Sequence, residues 1–303
     1  AYIVLGLISV FLMDIFLAYR ITMILEETGT KIRLIDALKA HFVGMLAADF
    51  TPSRSGYFAT AAVLRYNYKV ESDKALLAIF GPQMFDFVAK LVSGTIAILY
   101  IMYVFIGPEK GWILILSAVL ISVIVAMMLL VLFSKKFLKI FAFVQKIPVL
   151  GKLYPTIVKM QESSHIIVKK TPHLIGLIAI TWFLRSLSWY FVAKSVGITV
   201  NTPFPEIVFY IFLQPLITML EFMPSFTLAG LGLSEGGSTL VFSLFGIEAA
   251  KALVFGLIVR FKTTALHLPA VPEALHIMNN MDKENGAHVQ SFKLSRNRNQ
   301  VKK

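Results

Sequence analysis

Residues 49–53 read Asp-Phe-Thr-Pro-Ser, and residues 221–225 read Glu-Phe-Met-Pro-Ser, each directly after a long apolar run. A second matched pair follows at nearly the same spacing: residues 70–77 are Val-Glu-Ser-Asp-Lys-Ala-Leu-Leu and residues 247–254 are Ile-Glu-Ala-Ala-Lys-Ala-Leu-Val. Proline interrupts a helix, and a carboxylate beside it is costly at membrane depth. The doubling therefore predicts two structural repeats whose broken helices meet around a polar site, as in many transporters.

The composition indicates an integral membrane protein. The chain has 303 residues, of which 57% are hydrophobic and 15% charged, and its mean hydropathy is +0.76. Soluble domains have about 25% charged residues. Stretches near the roughly 17–25 residues needed for a membrane span occur at 1–19, 34–50, 78–106, 112–133, 173–196, 204–222 and 252–276. The predicted fold is an all-α polytopic bundle with inverted repeats and two broken or re-entrant helices.

Charge and residue usage exclude several classes of function. The net charge is +12, but the cations lie in loops and ends, a pattern typical of cytoplasmic loops beside anionic lipid rather than of nucleic-acid binding. The absence of cysteine excludes disulfides, cysteine-ligated zinc, iron–sulfur clusters and thiol catalysis. The six histidines are scattered without ligand spacing. We expect no enzymatic activity, no cofactor and no metal.

Charge asymmetry predicts the topology. Segment 134–171 has eight lysines against one acid, Glu162, so we place it in the cytoplasm, together with a disordered basic tail over 277–303. The transmembrane domain is expected at 1–276, with repeat one at about 34–106 and repeat two at about 204–276. From the start of repeat one to the start of repeat two, the chain then crosses the membrane an odd number of times. The second repeat is therefore expected to be inverted, in a multi-pass protein of the cell membrane. Because the chain starts already apolar, an earlier helix is also expected.

The first break carries the residue types of an anion site. Pro52 interrupts the helix, Gly56 allows a tight reversal, and Ser53 precedes Arg54. The free N–H groups of the new helix, together with Arg54, would suit a phosphate. The alternative is that Arg54 only pairs with Asp49 or extends its charged end toward the membrane surface.

The second break is rich in glycine. Pro224 is followed by four glycines within residues 230–237, among them Gly230 and Gly232. Irregular backbone in an apolar setting must line a cavity or pack on protein. Glu235, at the start of the next helix, could accept a proton, bind a cation or pair with an arginine.

Other ionisable residues lie within the apolar stretches: Asp14, Lys39, His41, Asp86, Lys90, Arg185, Arg260, Lys262 and His267. Asp86 and Lys90 are spaced i, i+4 and are expected to pair in part. The partner of Arg185 is expected to be Asp86, Asp49 or Glu221, whereas Asp14 is nearer a helix end and is read as structural. Because both signs of charge occur, the set predicts a hydrated interior path.

With these motifs in view, the chain resembles the flippase-like transmembrane family named for the lysylphosphatidylglycerol synthetase membrane region. The resemblance covers residues 1–276 and rests on Arg20, the Pro-Ser-Arg-x-Gly break at 52–56, Asp86, and the segment from Pro224 through Gly-x-Gly to Glu235. It implies a polytopic domain that translocates or handles lipids. Some relatives carry a soluble synthase or glycosyltransferase domain; we expect neither within these 303 residues and therefore do not expect the lipid-modifying activity.

The sequence also departs from the family pattern. Asparagine is common where this chain has Asp49, and Gln83 stands where an arginine is expected. Arg260 occupies the corresponding place in the second repeat. The family also usually begins one helix earlier.

The predicted function is a lipid flippase or scramblase-like transporter for an anionic, phosphate-bearing lipid or lipid-linked precursor. Arg54 and the helix end at Ser53 would hold the head group, Arg185 and Arg260 would lend charge along the path, and the acidic residues Asp49, Glu221 and Glu235 would balance or gate it. One alternative is an ion- or proton-coupled small-solute transporter. Another is a non-transporting partner that docks a separate lipid-modifying enzyme on its basic loop. A membrane glycosyltransferase is disfavoured because no acidic pair begins an external loop.

Overall fold

The computed structural model describes residues 1–52, 54–105, 123, 126, 130, 134–140, 155, 158–159, 161–221, 227 and 231–277. These residues contain helices and no strand, which confirms the all-α class. The tail at 278–303, most of the apolar stretch 112–133 and much of the basic segment 134–171 lie outside the described residues. Their predicted roles remain predictions.

The described residues up to 105 form four helices. They are α1 (Tyr2–Glu27), α2 (Leu34–Asp49), α3 (Ala59–Tyr68) and α4 (Ser72–Phe105), with a 3-10 turn at Ser55–Phe58 between α2 and α3. The α2–turn–α3 unit, called the hairpin below, packs α2 against both the turn and α3.

The second half has six further helices among the described residues. They are α5 (Lys135–Ile140), α6 (Ser164–Lys169), α7 (Thr171–Ser195), α8 (Glu206–Glu221), α9 (Leu233–Leu244) and α10 (Ala249–His267), and a 3-10 turn follows at Leu268–Ala270. Helix α1 packs most extensively against α7, and α4 packs against α8.

Three of the described helices are long and apolar enough to cross a membrane: Tyr2–Glu27, Ser72–Ile101 and Thr171–Ser195. Their outer surfaces remain apolar, since large side chains such as Ile3, Val4, Ile96 and Ile175 are exposed. Exposed apolar side chains along helices of this length are what a lipid environment stabilises. The chain is an all-α membrane protein.

Apolar side chains form two cores. One joins α1, α2, α3 and the first turns of α4 and α7, and it includes Ile24, Leu64 and Leu77. The other joins the end of α7 to α8, α9 and α10 around Tyr210 and Phe242. The first core therefore contains most of predicted repeat one and the second contains most of predicted repeat two, although Ala270 of repeat two belongs to the first core.

Each predicted repeat contains three described helices. They are α2, α3 and α4 in residues 34–105, and α8, α9 and α10 in residues 206–267. The predicted second break, at 222–230, falls almost entirely outside the described residues. The inverted relation between the repeats therefore stays a prediction.

Candidate functional site

The break after α2 is closed by short-range hydrogen bonds. The hydroxyl of Thr51 donates to the carbonyl of Ala47 at 2.9 Å and accepts from the amide of Gly56 at 2.6 Å. The left-handed residue of the turn is Arg54, with φ of 54°. Gly56 serves close packing instead, because a Cβ there would lie 2.3 Å from the carbonyl carbon of Ala47. The reversal predicted at this break is present, although Gly56 contributes by contact rather than by backbone freedom.

The backbone amides at this break are already bonded within the turn. The amide of Ser55 donates to Pro52, that of Gly56 to Thr51, and that of Tyr57 to Arg54. The helix end expected to present free N–H groups to an anion is thus occupied, since a four-residue 3-10 turn satisfies its own donors. Ser53 itself lies outside the described residues. The charge of this site therefore comes from side chains.

Asp49 joins the hairpin to α10. Its Oδ1 accepts from Nη2 of Arg54 at 2.9 Å, and its Oδ2 accepts from the hydroxyl of Thr264 at 2.8 Å. Both ionised side chains of the pair are at least 87% buried. The pairing expected as the alternative role of Arg54 is present, and it places Arg54 at a cavity wall.

Glu235 closes the N-terminus of α9 and pairs with Arg260. Gly232 has φ of 88° and donates its amide to Oε2 of Glu235 at 2.8 Å, a capping arrangement. Nε of Arg260 donates to Oε1 of the same carboxylate at 2.6 Å, and its Nη2 donates to the hydroxyl of Ser234 at 2.7 Å. Of the three roles considered for Glu235, pairing with an arginine is the one that the structure contains.

A third buried ion pair joins α1 to α4. Nη1 of Arg20 donates to Oδ2 of Asp86 at 2.6 Å, with the arginine side chain 4% exposed. Asp86 thus pairs with an arginine 66 residues away in sequence, a partner that the sequence did not indicate. The Lys90 ammonium group lies 5.8 Å from the ring centre of Phe87.

Two polar cavities adjoin between these ion pairs. The large cavity has a volume of about 320 Å³ and is bordered by α1, the hairpin, α4, α7 and α8. The small cavity, of about 50 Å³, lies between α1, α7, α9 and α10. Met13, Arg54 and Arg185 line both cavities, so these side chains stand at their junction. Arg185 also donates from Nε to the sulfur of Met13 at 3.3 Å.

Positive charge predominates around the two cavities. Among the described lining residues, six are formally cationic and three are carboxylates. The cations are Arg20, Arg54, Lys90, Arg185, Arg260 and Lys262, and the carboxylates are Asp49, Asp86 and Glu235. Such an excess within a membrane protein is expensive unless an anion or water compensates it. The arrangement can bind an anion.

A proline in α8 shapes the wall of the large cavity. Pro215 has no N–H, so the carbonyl of Ile211, four residues earlier, loses its helical partner. Nε1 of Trp182 on α7 donates to that carbonyl at 2.9 Å. Trp182 lines the large cavity, so the hydrogen bond also fixes part of the wall.

One cluster was missed by sequence reasoning. Asp14, expected to be merely structural, lies completely buried between the imidazoles of His41 and His267. The Nε2 atoms of the two rings lie 3.2 Å and 3.1 Å from its two oxygens. The residues are far apart in sequence, so only their positions in apolar helices could have indicated a cluster.

The structure gathers six of the predicted site residues at the cavities: Asp49, Arg54, Asp86, Arg185, Glu235 and Arg260. Glu221 is the last residue of α8, and its side chain lies outside the described part of the chain. Pro224 and Gly230 also lie outside it. Within the described ranges, no group of three or more histidine or acidic residues is suited to a metal ion.

Comparison with known proteins gives one match. The profile of the family described as "Lysylphosphatidylglycerol synthase TM region" matches residues 1–270. No curated protein and no solved structure matches the chain.

Proposed function

The chain belongs to the lysylphosphatidylglycerol synthase transmembrane-region family, and from this membership and the cavity chemistry we propose that it translocates an anionic, phosphate-bearing lipid across the membrane. The family is a transmembrane region associated with lipids rather than a catalytic domain. The single observation that carries the proposal is the excess of three formal positive charges around the adjoining cavities.

The phosphate would bind where the cavities meet. Arg54 and Arg185 line both, and guanidinium groups bind phosphate oxygens through paired hydrogen bonds. Aromatic side chains such as Phe58, Phe80 and Phe87 form the other wall of the large cavity. A lipid head group joined to apolar chains fits this mixed lining better than a small hydrophilic solute does.

A separate apolar cavity supports a lipid cargo. It has a volume of about 290 Å³ and is lined only by apolar surface from α4, α8, α9 and the loop before α8. The same two helices, α4 and α8, contribute to both this cavity and the large one: Lys90 and Gln214 line the large cavity, whereas Ile96 and Leu213 line the apolar one. A lipid with its phosphate in the large cavity would have an apolar site for its chains along the same pair of helices, α4 and α8.

Reconstitution into liposomes tests the proposal. The transfer of fluorescent phosphatidylglycerol between leaflets should be faster with the protein than in empty liposomes. Arg54→Ala should slow it about tenfold, because a hydrogen bond to a charged group contributes about 1.5–3 kcal/mol and 1.4 kcal/mol is a factor of ten. Arg65→Ala is the matched control, since Arg65 is exposed on α3 and lines neither polar cavity.

Two results would overturn the proposal. One is transfer by the wild-type protein no faster than in empty liposomes. The other is an equal effect of the Arg54 and Arg65 substitutions. Uptake of a small solute without lipid movement would favour the solute-transporter alternative. Co-purification of a lipid-modifying enzyme, lost when the lysines of 134–171 are neutralised, would favour a docking role.

A further inference from the structure

The buried cluster of Asp14, His41 and His267 has no role in the anion site as described so far. It joins three helices, because Asp14 is on α1, His41 on α2 and His267 on α10. All three side chains are 0% exposed. Nε2 of both rings lies within hydrogen-bond distance of this one carboxylate, and when the carboxylate is ionised each neutral imidazole carries its proton on Nε2.

The remaining nitrogen of each ring is available to accept. Nδ1 of His41 lies 3.4 Å from the hydroxyl of Tyr57. Nδ1 of His267 is buried and has no hydrogen-bond partner among the described residues. A buried polar atom without a partner costs about 1–3 kcal/mol, so it calls for an explanation. A proton bound at Nδ1 would turn this ring into an imidazolium held against the Asp14 carboxylate.

The cluster is in contact with the large cavity. His41 and Tyr57 form part of its lining, and Met13, the neighbour of Asp14 in sequence, lies at the junction of the two cavities. A charge on the cluster would therefore act on an anion in the cavity at short range, inside a protein, where electrostatic interactions are stronger than in bulk water.

Charged groups of both signs face the cluster from the surrounding helices. The charge of Arg20 on α1 interacts electrostatically with His41 and Tyr57, and the charge of Asp86 on α4 interacts electrostatically with Tyr57. From α10, Lys262 faces Asp14 and hydrogen-bonds to Ser188, and Arg185 on α7 acts on Lys262. Cations predominate, so an empty cavity repels an additional proton.

We propose that Asp14, His41 and His267 form a proton-binding site that is coupled to the anion site, so that the cluster takes up a proton when a phosphate-bearing head group enters the large cavity. This inference rests on the proposed function. The negative phosphate offsets the positive potential that Arg20, Arg185 and Lys262 create at the cluster. Binding of a proton to the cluster is then less unfavourable. Coupling between two binding sites is reciprocal, so protonation also strengthens binding of the anion. A proton gradient could thereby bias the direction of transport.

Calorimetry on the purified full chain tests the coupling. The probe is short-chain phosphatidylglycerol, whose phosphodiester keeps one charge throughout pH 5.5–8. Titrations at one pH in two buffers with different ionisation enthalpies give the number of protons taken up for each lipid bound. We expect an uptake of up to one proton for the wild type. The affinity should then rise by up to about tenfold for each pH unit of acidification in the range where the cluster titrates.

Variants assign the proton to the cluster. His267→Gln should abolish most of the uptake and flatten the pH dependence of affinity, and Asp14→Asn provides a second test should the first variant fold poorly. His276→Gln, which changes an exposed histidine, should behave as the wild type. Lys262→Gln should reduce the uptake without abolishing it, because Lys262 contributes to the positive potential at the cluster whereas the proton resides on an imidazole.

The outcomes separate the two proposals. Binding without proton uptake, or uptake unchanged in His267→Gln but lost in Lys262→Gln, would overturn the coupling and leave the anion site standing. Absence of any lipid binding between pH 5.5 and 8 would overturn the proposed function and, with it, the coupling.

Discussion

The clearest test of the hairpin is the substitution Gly56→Ala. A Cβ at this position would lie 2.3 Å from the carbonyl carbon and oxygen of Ala47 and 2.7 Å from the amide nitrogen of Ala48. These are backbone atoms of α2, which no side-chain rotation can move. Restoring ordinary contact requires the turn to move away from α2 by roughly 1 Å, and overpacking of this kind costs about 1–3 kcal/mol.

The displacement would reach the anion site. The amide of Gly56 donates to Thr51, and Arg54, two residues earlier, pairs with Asp49. Moving the turn strains both contacts, so Gly56→Ala should lower both thermal stability and affinity for phosphatidylglycerol. A change of 1 kcal/mol corresponds to a shift of about 2–4 °C in unfolding temperature for chains of about 150–250 residues, and to a slightly smaller shift for a longer chain.

Thermal unfolding in detergent, followed by the loss of the monodisperse elution peak, measures the first effect. Gly176→Ala is the matched control, because Gly176 lies within α7 and a Cβ there meets nothing within 4 Å. That control should be neutral or stabilising by up to about 1 kcal/mol. Equal unfolding temperatures for the two variants would refute the packing argument.

Two further predictions concern contacts at the cavity walls. Trp182→Phe should destabilise the protein by about 1–3 kcal/mol, because the Ile211 carbonyl loses its donor. In a Pro215→Ala background the backbone amide of residue 215 can donate to that carbonyl, so the same substitution should cost less. Additive effects in a double-mutant cycle of unfolding free energies would contradict this explanation. Glu235→Gln should lower the free energy of unfolding by on the order of 3 kcal/mol, because it leaves the Arg260 guanidinium in a buried site beside a neutral amide. Glu162→Gln, at an exposed position, is the control. Equal midpoints in thermal unfolding for the two variants would show that the Glu235–Arg260 pair contributes nothing to stability.

Local patterns in the sequence predicted the fold class and the first break. Apolar runs indicate membrane helices without knowledge of their neighbours, and Pro52 marks the end of a helix in any context. The observed α1, α4 and α7 accordingly lie close to the apolar stretches at 1–19, 78–106 and 173–196. The reversal near Arg54 follows from the same local chemistry.

Pairings between distant helices could not be predicted in the same way. The sequence offered three acidic partners for Arg185 and a neighbouring lysine for Asp86, whereas Asp86 pairs with Arg20 on α1. The meeting of His41 and His267 at Asp14 depends on how α2 and α10 pack against α1. Such contacts are decided by tertiary packing, which spacing along one helix does not contain.

Asp49 connects the hairpin in the first half of the protein to α10 in the second half. Its bond to Arg54 stays within the hairpin, whereas its bond to Thr264 crosses to α10. Of the two Asp49 bonds, swinging the hairpin away from α10 would break the one to Thr264, a loss of about 1.5–3 kcal/mol for a hydrogen bond to a charged group, and it would also separate the rings of Phe42 and His267. The ion pair between Asp49 and Arg54 would stay intact, because both residues belong to the hairpin and would move with it. This asymmetry means that Arg54 keeps its orientation toward Asp49 in any movement of the hairpin relative to α10.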